Sequence, residues 1–475
     1  MNDISKNIKR VLLVFLLCFI GLFIYITYFE IFVGPNIVNN ANNKRLWVKR
    51  NEVLRGTIYD RNKKPLTTST KVNAETQKRT YTDGPLFAHV LGYVNIKYGI
   101  TGLENKYDTE LMSTDIKDTV ESFVKNKGKT EAKIGDNLQT TLDYNIQKAA
   151  YDALGDNKGA AVALNPKTGE ILAVVSKPSY DPNNLENIWQ SLNQDKNKPL
   201  INRATSGLYP PGSTFKTITA ISALENFNGI QNRTFTDNGK LVFNSKESLS
   251  NFNGESFGDI GFKDAYVHSS NVVFGTLGLD LGNDKLKSTA EKFYFNKSIP
   301  ADGIAIAKSQ FPTLKNYEKG NIAQSAIGQG TVLASPMEMA LVASTIANDG
   351  VMMKPYLVQQ VTTNKGAAVK TIAPEALGQI VSKDTSAVMK DFMRTVVEQG
   401  TGVNASIPGI QVCGKTGTAD HYDEGSQAPP HSWFIGFAPY DNPQIAVAVI
   451  VEDGGQGGIA AARVARMTMS AAFGK

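Results

Sequence analysis

The polarity pattern begins with one uninterrupted apolar run, "VLLVFLLCFIGLFIYITYF" at residues 11–29. The run carries no charged side chain, and its length is close to the ~20 residues that a helix needs to cross the hydrocarbon core of a bilayer. No second apolar run of this length follows in the sequence. The pattern therefore predicts one transmembrane helix.

Basic residues stand on one side of this run only. Three of them precede it, whereas Glu30 follows it and no basic residue appears before Lys44. Because basic residues collect on the cytoplasmic side of a membrane, we expect a cytoplasmic tail at residues 1–10, an anchor at 11–33 and an extracytoplasmic body. A cleaved signal peptide is the alternative, but its apolar core is shorter and ends in a small-residue cleavage site.

Apolar runs with β-favouring residues occur at both ends of the chain's second part. "GAAVALNPKTGEILAVVS" at 159–176 is two such runs joined by a turn sequence, which is typical of a hairpin. "SWFIGFAPYDNPQIAVAVIVED" at 432–453 has the same form, and "IQVCGKTGTA" at 410–419 supplies a third strand. The residues between these ends show helical spacing, as at 214–224, 272–281, 336–347 and 382–397. This order predicts an α+β domain whose sheet joins both ends.

The stretch between the anchor and this domain has shorter and more mixed patterns. An asparagine-rich connector at 39–53 precedes a predicted strand and hairpin at 55–69, and a lysine-rich segment at 123–133 reads as a surface loop. We therefore divide the extracytoplasmic part into a smaller N-terminal module at 34–154 and a larger domain at 155–475.

Composition excludes several classes of protein. The 475 residues carry a net charge of only +6, and no dense basic block indicates nucleic acid as a partner. Two cysteines, Cys18 in the apolar run and Cys413, do not form a disulfide framework. The four histidines show no metal-ligand spacing, so we predict neither a metal nor a cofactor; they are His89, His268, His421 and His431.

Residues 409–416, "GIQVCGKT", match the phosphate-binding loop G-x-x-x-x-G-K-[ST]. Such a loop needs a buried strand before its first glycine and a helix that starts at its lysine. Here a polar stretch ending in Pro408 comes first, and Gly417 follows the lysine and threonine. We therefore reject nucleotide binding and ask what else Lys415 serves.

A serine acyl-transfer site is the alternative. "LYPPGSTFKTITAISALEN" at 208–226 places Ser213 at the start of an apolar helix, with Lys216 one turn later on the same face. A lysine can take the proton of a serine hydroxyl only if its own amine is neutral. Burial and a second cation, for which Lys415 is the candidate, would lower the pKa of Lys216 in that way.

Three short motifs occur in the order that this chemistry requires: S-x-x-K at Ser213, Ser269-Ser270-Asn271, and Lys415-Thr416-Gly417. Each is weak alone, since Ser213 by itself reads as an N-cap serine. Partial copies also occur elsewhere, in the lysine-rich loop, a polar stretch, the tail and a turn, at Ser122, Ser191, Ser5 and Lys167. Together, the three motifs favour catalysis.

"YPPGSTFK", "SSN" and "GKTGTA" resemble the motifs of penicillin-binding proteins, and "RGTIYDRN" with "GITGLENKYD" resembles the class B members, of the short single-pass type. The resemblance implies a transpeptidase domain at 155–475, similar to serine β-lactamases, with a five-stranded antiparallel sheet flanked by helices. It also implies a β-rich, non-catalytic pedestal at 34–154.

The implied reaction cross-links peptidoglycan stem peptides that end in D-Ala-D-Ala, and β-lactams would acylate the same serine. By resemblance, Ser213 attacks, Lys216 takes its proton, Ser269 relays a proton to the leaving group and Asn271 holds the donor peptide. The residues implied in carboxylate binding are Lys415, Thr416 and Thr418, and Gly417 is implied in substrate binding. The amides of Ser213 and Thr418 are the implied oxyanion hole.

Other functions use the same residues or none of them. A D,D-carboxypeptidase would use water as the acceptor, and a β-lactamase would need a deacylating glutamate that no segment suggests. A non-catalytic cell-wall scaffold would not need Ser213. Family analogy also implies a membrane partner, a glycan polymerase of the SEDS type that contacts the anchor and pedestal.

Overall fold

The computed structural model describes residues 2–34, 47, 50–73, 76–113, 133–423 and 426–475. Most of the connector and residues 123–132 of the lysine-rich segment, with the partial motif at Ser122, lie outside the described residues. The α-helices are α1 Asn2–Tyr28, α2 Gly84–Leu91, α3 Gly102–Lys106, α4 Asp108–Leu111, α5 Tyr144–Leu154, α6 Leu185–Gln194, α7 Arg203–Ser206, α8 Lys216–Asn226, α9 Phe262–Val267, α10 Asn271–Lys292, α11 Lys319–Ala326, α12 Pro336–Ala347, α13 Lys383–Gln399 and α14 Ala460–Ala471.

The strands are short in the first part of the chain and longer in the second. They are β1 Val53–Leu54, β2 Ile58–Tyr59, β3 Thr67–Lys71, β4 Gln77–Tyr81, β5 Val94–Asn95, β6 Gly99–Ile100, β7 Lys133–Ile134, β8 Asn137–Thr140, β9 Gly159–Leu164, β10 Ile171–Lys177, β11 Thr234–Asp237, β12 Lys240–Val242, β13 Ser248–Ser250, β14 Gly258–Gly261, β15 Val351–Met353, β16 Val358–Thr362, β17 Ala368–Thr371, β18 Ala376–Gln379, β19 Cys413–Ala419, β20 Tyr422–Asp423, β21 Ser426–Gln427, β22 His431–Ala438 and β23 Ile445–Val451.

The apolar helix at the N-terminus, α1, continues as a π-helical turn at Phe29–Val33. Within the segment Lys6–Val33, an 18-residue window has a mean hydropathy of 2.7, and none of that window is buried. Among the described residues it is the one helix long and apolar enough to cross a membrane.

A five-stranded antiparallel sheet forms the centre of the larger domain, in the order β10-β9-β23-β22-β19. The predicted hairpin is confirmed, and Gly169 takes a φ of +81° in its turn. Strand β23 pairs with β9 and so joins the two ends of the domain. The predicted α+β architecture is therefore confirmed.

Both faces of this sheet are covered. Every residue of β9 is buried, and its side chains alternate between two apolar cores. Helix α12 packs on one face, whereas α5 and α14 pack on the other. Because a strand's side chains alternate, burial on both sides explains why β9 and β23 consist almost entirely of small and branched apolar residues.

The first part of the chain is tied to the second by a four-stranded sheet in the order β17-β16-β8-β2. The predicted strand β2 exists, but its ladder partner is the distant β8, which runs parallel to it. The predicted hairpin contributes one bridge, between Tyr59 and Pro65. The domain boundary at residue 154 stays a prediction, since α5 precedes it and packs on the larger sheet.

A buried ion network joins the two N-terminal segments that resemble class B proteins. The Arg55 guanidinium donates to Glu104 at 2.5 Å and to Asp108 at 2.6 Å, and Arg79 reaches Glu104 at 2.7 Å. Burial opposes the charge of Glu104, but the two arginines outweigh it and lower the pKa of that carboxyl. Removing one partner would leave a buried charge without compensation.

Helix α12 carries a buried carboxyl near its start. The Ser335 hydroxyl caps the helix by accepting from the Glu338 amide, while both carboxyl oxygens of Glu338 lack a well-aligned partner in the described structure. Burial raises the pKa of Glu338 to about 8, and the nearby Ser309 opposes only part of that shift. The side chain is therefore neutral at pH 7.

We predict that Glu338→Gln stabilises the protein as the pH rises. The unfolded carboxyl ionises near 4.5 and the folded one near 8, so the wild type loses stability across that window. At about 1.4 kcal/mol per pKa unit, the gain reaches a few kcal/mol at pH 8. Melting temperatures at pH 5 and pH 8 measure it, with the exposed Glu398→Gln as control. An equal effect at both pH values would contradict the assignment.

Candidate active site

The turn before helix α8 presents the candidate nucleophile. Ser213 lies in a 3-10 turn, Gly212–Phe215, and is partly exposed between buried neighbours. The Trp433 indole donates to the Pro210 carbonyl at 3.0 Å, and the Thr214 hydroxyl donates to the Pro211 carbonyl at 2.7 Å. These bonds fix the turn, so Ser213 faces the groove described below.

Two glycines let strand β19 approach this turn. Gly212 has a φ of +53°, and a β-carbon there would lie 2.5 Å from the Thr418 carbonyl. A β-carbon at Gly417 would lie 2.9 Å from the Thr214 methyl group. A side chain at either position would push the strand away from Ser213. The close approach of strand and turn thus explains why position 417 is a glycine. The proposed contact of Gly417 with substrate stays a prediction.

Two buried lysines meet at the Ser269 hydroxyl. The Lys216 amine donates to the Ser269 hydroxyl at 3.2 Å, to the Ser269 carbonyl at 2.6 Å and to the Asn271 side chain at 2.6 Å. The Lys415 amine donates to the same hydroxyl at 2.9 Å and to the Thr416 carbonyl at 3.1 Å. The three motifs, far apart in sequence, therefore converge.

Burial controls the charge of this pair. It lowers the pKa of Lys216 well below its ordinary value; the Lys415 charge lowers it further and Asp237 partly opposes the shift. Burial also lowers the pKa of Lys415 to about 7. Because the two amines share one dry site, the pair favours a neutral Lys216, which is the state that a general base needs.

A groove with a volume of about 1190 Å³ runs over these residues. Five predicted site residues line it: Ser213, Ser269, Asn271, Thr416 and Thr418. Lys216 and Lys415 lie beneath it with no exposed surface. The structure thus brings the predicted residues together, although the hydrogen bonds of the Lys216 amine in the described structure reach Ser269 and Asn271 and do not include the Ser213 hydroxyl.

The phosphate-loop match has the wrong geometry. Strand β19 begins at Cys413 and runs straight through Lys415 to Ala419, so no helix starts at the lysine. The partial motifs also lie elsewhere: Lys167 is in the hairpin turn, and Ser191 is in helix α6, within the polar stretch.

Sequence reasoning missed Thr401 and Asn404. The Thr401 hydroxyl lies 2.6 Å from the Thr416 hydroxyl, and both Thr401 and Asn404 line the groove. They follow helix α13 in a turn, and no motif or periodicity marks them. Only the packing of α13 beside β19 brings this turn to the site.

His421, His431 and Asp453 form a cluster whose ligand atoms lie within 4.8 Å of one another. The two imidazole rings are stacked with their centroids 3.8 Å apart, and Nε2 of His421 and Nδ1 of His431 lie 2.8 Å and 3.8 Å from the same Asp453 carboxylate oxygen. The Asp453 carboxylate already contacts His421 at 2.8 Å and Lys158 at 3.3 Å. These contacts give the cluster a packing role at the end of the groove, and we assign no metal to it.

Two family profiles match the chain. The penicillin binding protein transpeptidase domain matches residues 159–470, and the penicillin binding protein A dimerisation domain matches residues 55–137. This chain belongs to the penicillin-binding proteins. Two relatives named peptidoglycan D,D-transpeptidase PbpA are each 34% identical. The one from Mycolicibacterium smegmatis aligns over 99% of both chains, and the one from Mycobacterium tuberculosis over 83% of this chain and 84% of its own.

Solved penicillin-binding proteins share the fold. The penicillin G acyl-enzyme complex of penicillin-binding protein A from M. tuberculosis has a TM-score of 0.82 at 32% identity, covering 89% of this chain and all of that one. The D,D-transpeptidase domain of a peptidoglycan glycosyltransferase from Eggerthella lenta has a TM-score of 0.80 at 35% identity, covering 89% and 99%. The predicted class and fold are confirmed.

We predict that Lys415→Met raises thermal stability at pH 7 more than at pH 10. The amine ionises near 10.5 when unfolded but near 7 when folded, so stability is lost as the pH falls through that window. Removing the amine avoids a cost of about 1.4 kcal/mol per pKa unit, less the lost hydrogen bonds to Ser269 and Thr416.

Melting temperatures at the two pH values test this expectation, with Lys246→Met, an exposed lysine, as the control. A melting temperature that falls equally at both values would mean that Lys415 enters the folded site without a shifted pKa.

Proposed function

We propose that this penicillin-binding protein cross-links peptidoglycan as a membrane-anchored serine D,D-transpeptidase, with Ser213 as its nucleophile. The supporting observation is the convergence of a partly exposed serine and two fully buried lysines on one groove. The names of the relatives and the acyl-enzyme complex support the same reaction. The roles below are assigned on the geometry of this chain.

Acylation starts at the turn before α8. The Ser213 hydroxyl attacks the carbonyl of the penultimate D-alanine, and the neutral Lys216 amine accepts its proton. The hydrogen bond between the two forms when substrate binds, as catalytic contacts often tighten only in the complex. The amides of Ser213 and Thr418 stabilise the negative charge on the carbonyl oxygen.

The terminal D-alanine leaves next, and its nitrogen needs a proton. Ser269 supplies it, since its hydroxyl touches both amines and can be reprotonated by Lys216, which holds the proton taken from Ser213. The proton balance of the step then closes without solvent. The amine of a neighbouring stem peptide attacks the acyl-enzyme, restores Ser213 and forms the cross-link. β-Lactams acylate Ser213 by the same first step.

Substrate orientation comes from the opposite wall. The terminal carboxylate of the donor lies at Thr416, Gly417 and Thr418, with Lys415 behind them as the cation. Asn271 holds the donor peptide's amide from the other side. Because Lys415 has a pKa near 7, an arriving carboxylate favours its protonated form.

The remaining parts of the chain support a site outside the cytoplasm. We assign residues 1–10 to a cytoplasmic tail, 11–33 to the anchor, 34–154 to the pedestal and 155–475 to the transpeptidase domain. The basic residues before α1 support this orientation. The family resemblance supports a glycan polymerase of the SEDS type as the membrane partner of anchor and pedestal.

We predict that a fluorescent penicillin labels the full-length protein in detergent and that the label maps to Ser213. Ser213→Ala removes the attacking hydroxyl and should abolish covalent labelling. Ser122→Ala, at the partial S-x-x-K motif, is the matched control and should label like the wild type. Labelling that persists in Ser213→Ala would refute the proposed nucleophile, and an unlabelled wild type would refute the proposed function.

We also predict that Tyr317→Cys reacts with a membrane-impermeant maleimide on intact protoplasts, whereas Asn7→Cys does not. Tyr317 is 82% exposed in the larger domain, and Asn7 lies in the proposed tail. The native Cys413 is buried and Cys18 lies within the anchor, so background labelling is low. The reverse pattern, with only Asn7→Cys labelled, would overturn the orientation.

A further inference from the structure

A buried carboxylate lies behind the Ser269-Ser270-Asn271 segment. Asp237, at the end of strand β11, has no exposed surface and no ion-pair partner in the described structure. It accepts from the Ser270 hydroxyl at 2.6 Å, the Gly239 amide at 2.8 Å and the Asn251 side-chain amide, whose nitrogen lies 2.8 Å from each carboxylate oxygen. Burying a carboxylate without a cation is energetically unfavourable, so the four hydrogen bonds to Asp237 indicate that it has a structural or functional role.

Asn251 connects Asp237 to the start of helix α10. Its side-chain oxygen accepts from the Asn271 amide at 2.7 Å and from the Val272 amide at 3.1 Å. Its side-chain nitrogen is committed to Asp237 and to the Glu255 carbonyl. Asp237 therefore determines which way the Asn251 amide points, and so which atom meets α10.

Ser270 forms the second connection. Its hydroxyl donates to Asp237 and accepts from the Val273 amide at 3.0 Å, so it caps α10. Since one hydroxyl carries both bonds, the carboxylate orients the cap. We call Asp237, Asn251 and Ser270 the brace.

The residue that the brace holds is Ser269. Its φ of +61° is a conformation that side-chain-bearing residues rarely adopt, and it persists only where the surroundings enforce it. In that conformation both its hydroxyl and its carbonyl accept from Lys216, and the hydroxyl also meets Lys415. A relaxed backbone at Ser269 would move the hydroxyl away from the two amines.

We propose that Asp237 is a positioning residue of the transpeptidase: through Asn251 and Ser270 it holds the Ser269 hydroxyl and the Asn271 side chain in their reactive places. The inference rests on the proposed function, since it concerns the same site. Asp237 itself does not touch the groove; Asn251 and Asn271 line it. Apart from its charge, which partly opposes the lowered pKa of Lys216, the carboxylate therefore acts on the reaction through other residues.

The alternative is that Asp237 only closes its own turn, because it also accepts from the Gly239 amide two residues later. That role would stabilise the fold without adjusting Ser269. The two roles differ in what they change: a fold stabiliser changes the fraction of folded protein, whereas a positioning residue changes the rate constant of the folded protein.

Asp237→Asn separates them. The new side chain has the same shape but carries an NH₂ group in place of one carboxylate oxygen. That NH₂ group faces the side-chain nitrogen of Asn251 or the hydroxyl of Ser270, which both donate to Asp237, so the brace loses one hydrogen bond. With full-length protein in detergent and a fluorescent penicillin, we expect the first-order acylation constant to fall by about 10²-fold, as for a catalytic group moved by about 1 Å. The dissociation constant of the penicillin should change by a smaller factor, because Ser213, Thr416 and Thr418 are untouched and only the contact of Asn271 is disturbed.

The exchange Asp237→Asn with Asn251→Asp provides the rescue. The new amide at position 237 would then donate to the new carboxylate at position 251, and that carboxylate would still accept from the Asn271 and Val272 amides. The rescue is partial, because the bond that Asn251 donates to the Glu255 carbonyl is lost. We expect the double variant to regain at least about tenfold of the lost acylation rate. Asp259→Asn is the matched control, since this exposed carboxylate accepts from Thr236 at 2.8 Å within the same β11–β14 pair and makes no hydrogen bond to α10 in the described structure.

Each result decides between the roles. An acylation constant of folded Asp237→Asn equal to that of the wild type overturns the proposal, as does a double variant no faster than the single one. If Asp237→Asn does not fold, Ser270→Ala decides, because it deletes one brace contact and an unchanged constant would refute positioning. Failure of the wild type to label at Ser213 would instead refute the proposed function.

Discussion

The structure depends on keeping two lysine amines dry beside a single hydroxyl. Lys216 and Lys415 both reach Ser269, and neither has exposed surface. In a dry site, the repulsion between two charged amines that share one hydroxyl exceeds the stabilisation from their few hydrogen bonds. The neutral form of one amine is therefore favoured. The fold must supply the burial that enforces this, and its large apolar cores behind the groove do so. The elements around the site exclude water from the two buried amines and leave Ser213 accessible from the groove.

The topology brings the three motifs together at ends of elements. Ser213 precedes α8, Ser269 lies between α9 and α10, and Lys415 is on β19. Strand β19 is the edge of the five-stranded sheet, so one side of it has no strand partner. Gly417 on the strand and Gly212 in the turn let the segment around Ser213 approach closely on that side. An edge strand offers free amides and carbonyls to an extended peptide, which suits a substrate that is itself a peptide.

Local signals in the sequence predicted the elements that depend on local chemistry. The turn at 165–169 and the long apolar runs specified the β9–β10 and β22–β23 hairpins, and the order of three motifs specified the site. Contacts between distant segments carried no such signal. No local pattern in residues 58–59 predicts β8 as their partner strand. Thr401 reaches Thr416 only because α13 packs beside β19. The roles of Asp237 and Asn251 could not be predicted for the same reason, because their contacts with Ser270 and α10 form only in the folded chain. The positive φ of Ser269, a serine and not a glycine, also breaks the local preference that sequence reasoning uses.

The same lysine that mimics a phosphate loop shows why a carboxylate suits this site better. A phosphate needs a row of free amides at a helix start, whereas the Lys415 backbone is committed to a strand paired with β22. What the strand offers instead is one amine with a pKa near 7, poised between two charge states. An arriving carboxylate favours the charged state of Lys415. A charged Lys415 in turn lowers the pKa of Lys216, since the two amines share the hydroxyl of Ser269. If Lys415 binds the donor's terminal carboxylate as proposed, that binding favours the neutral form of Lys216, the proposed general base.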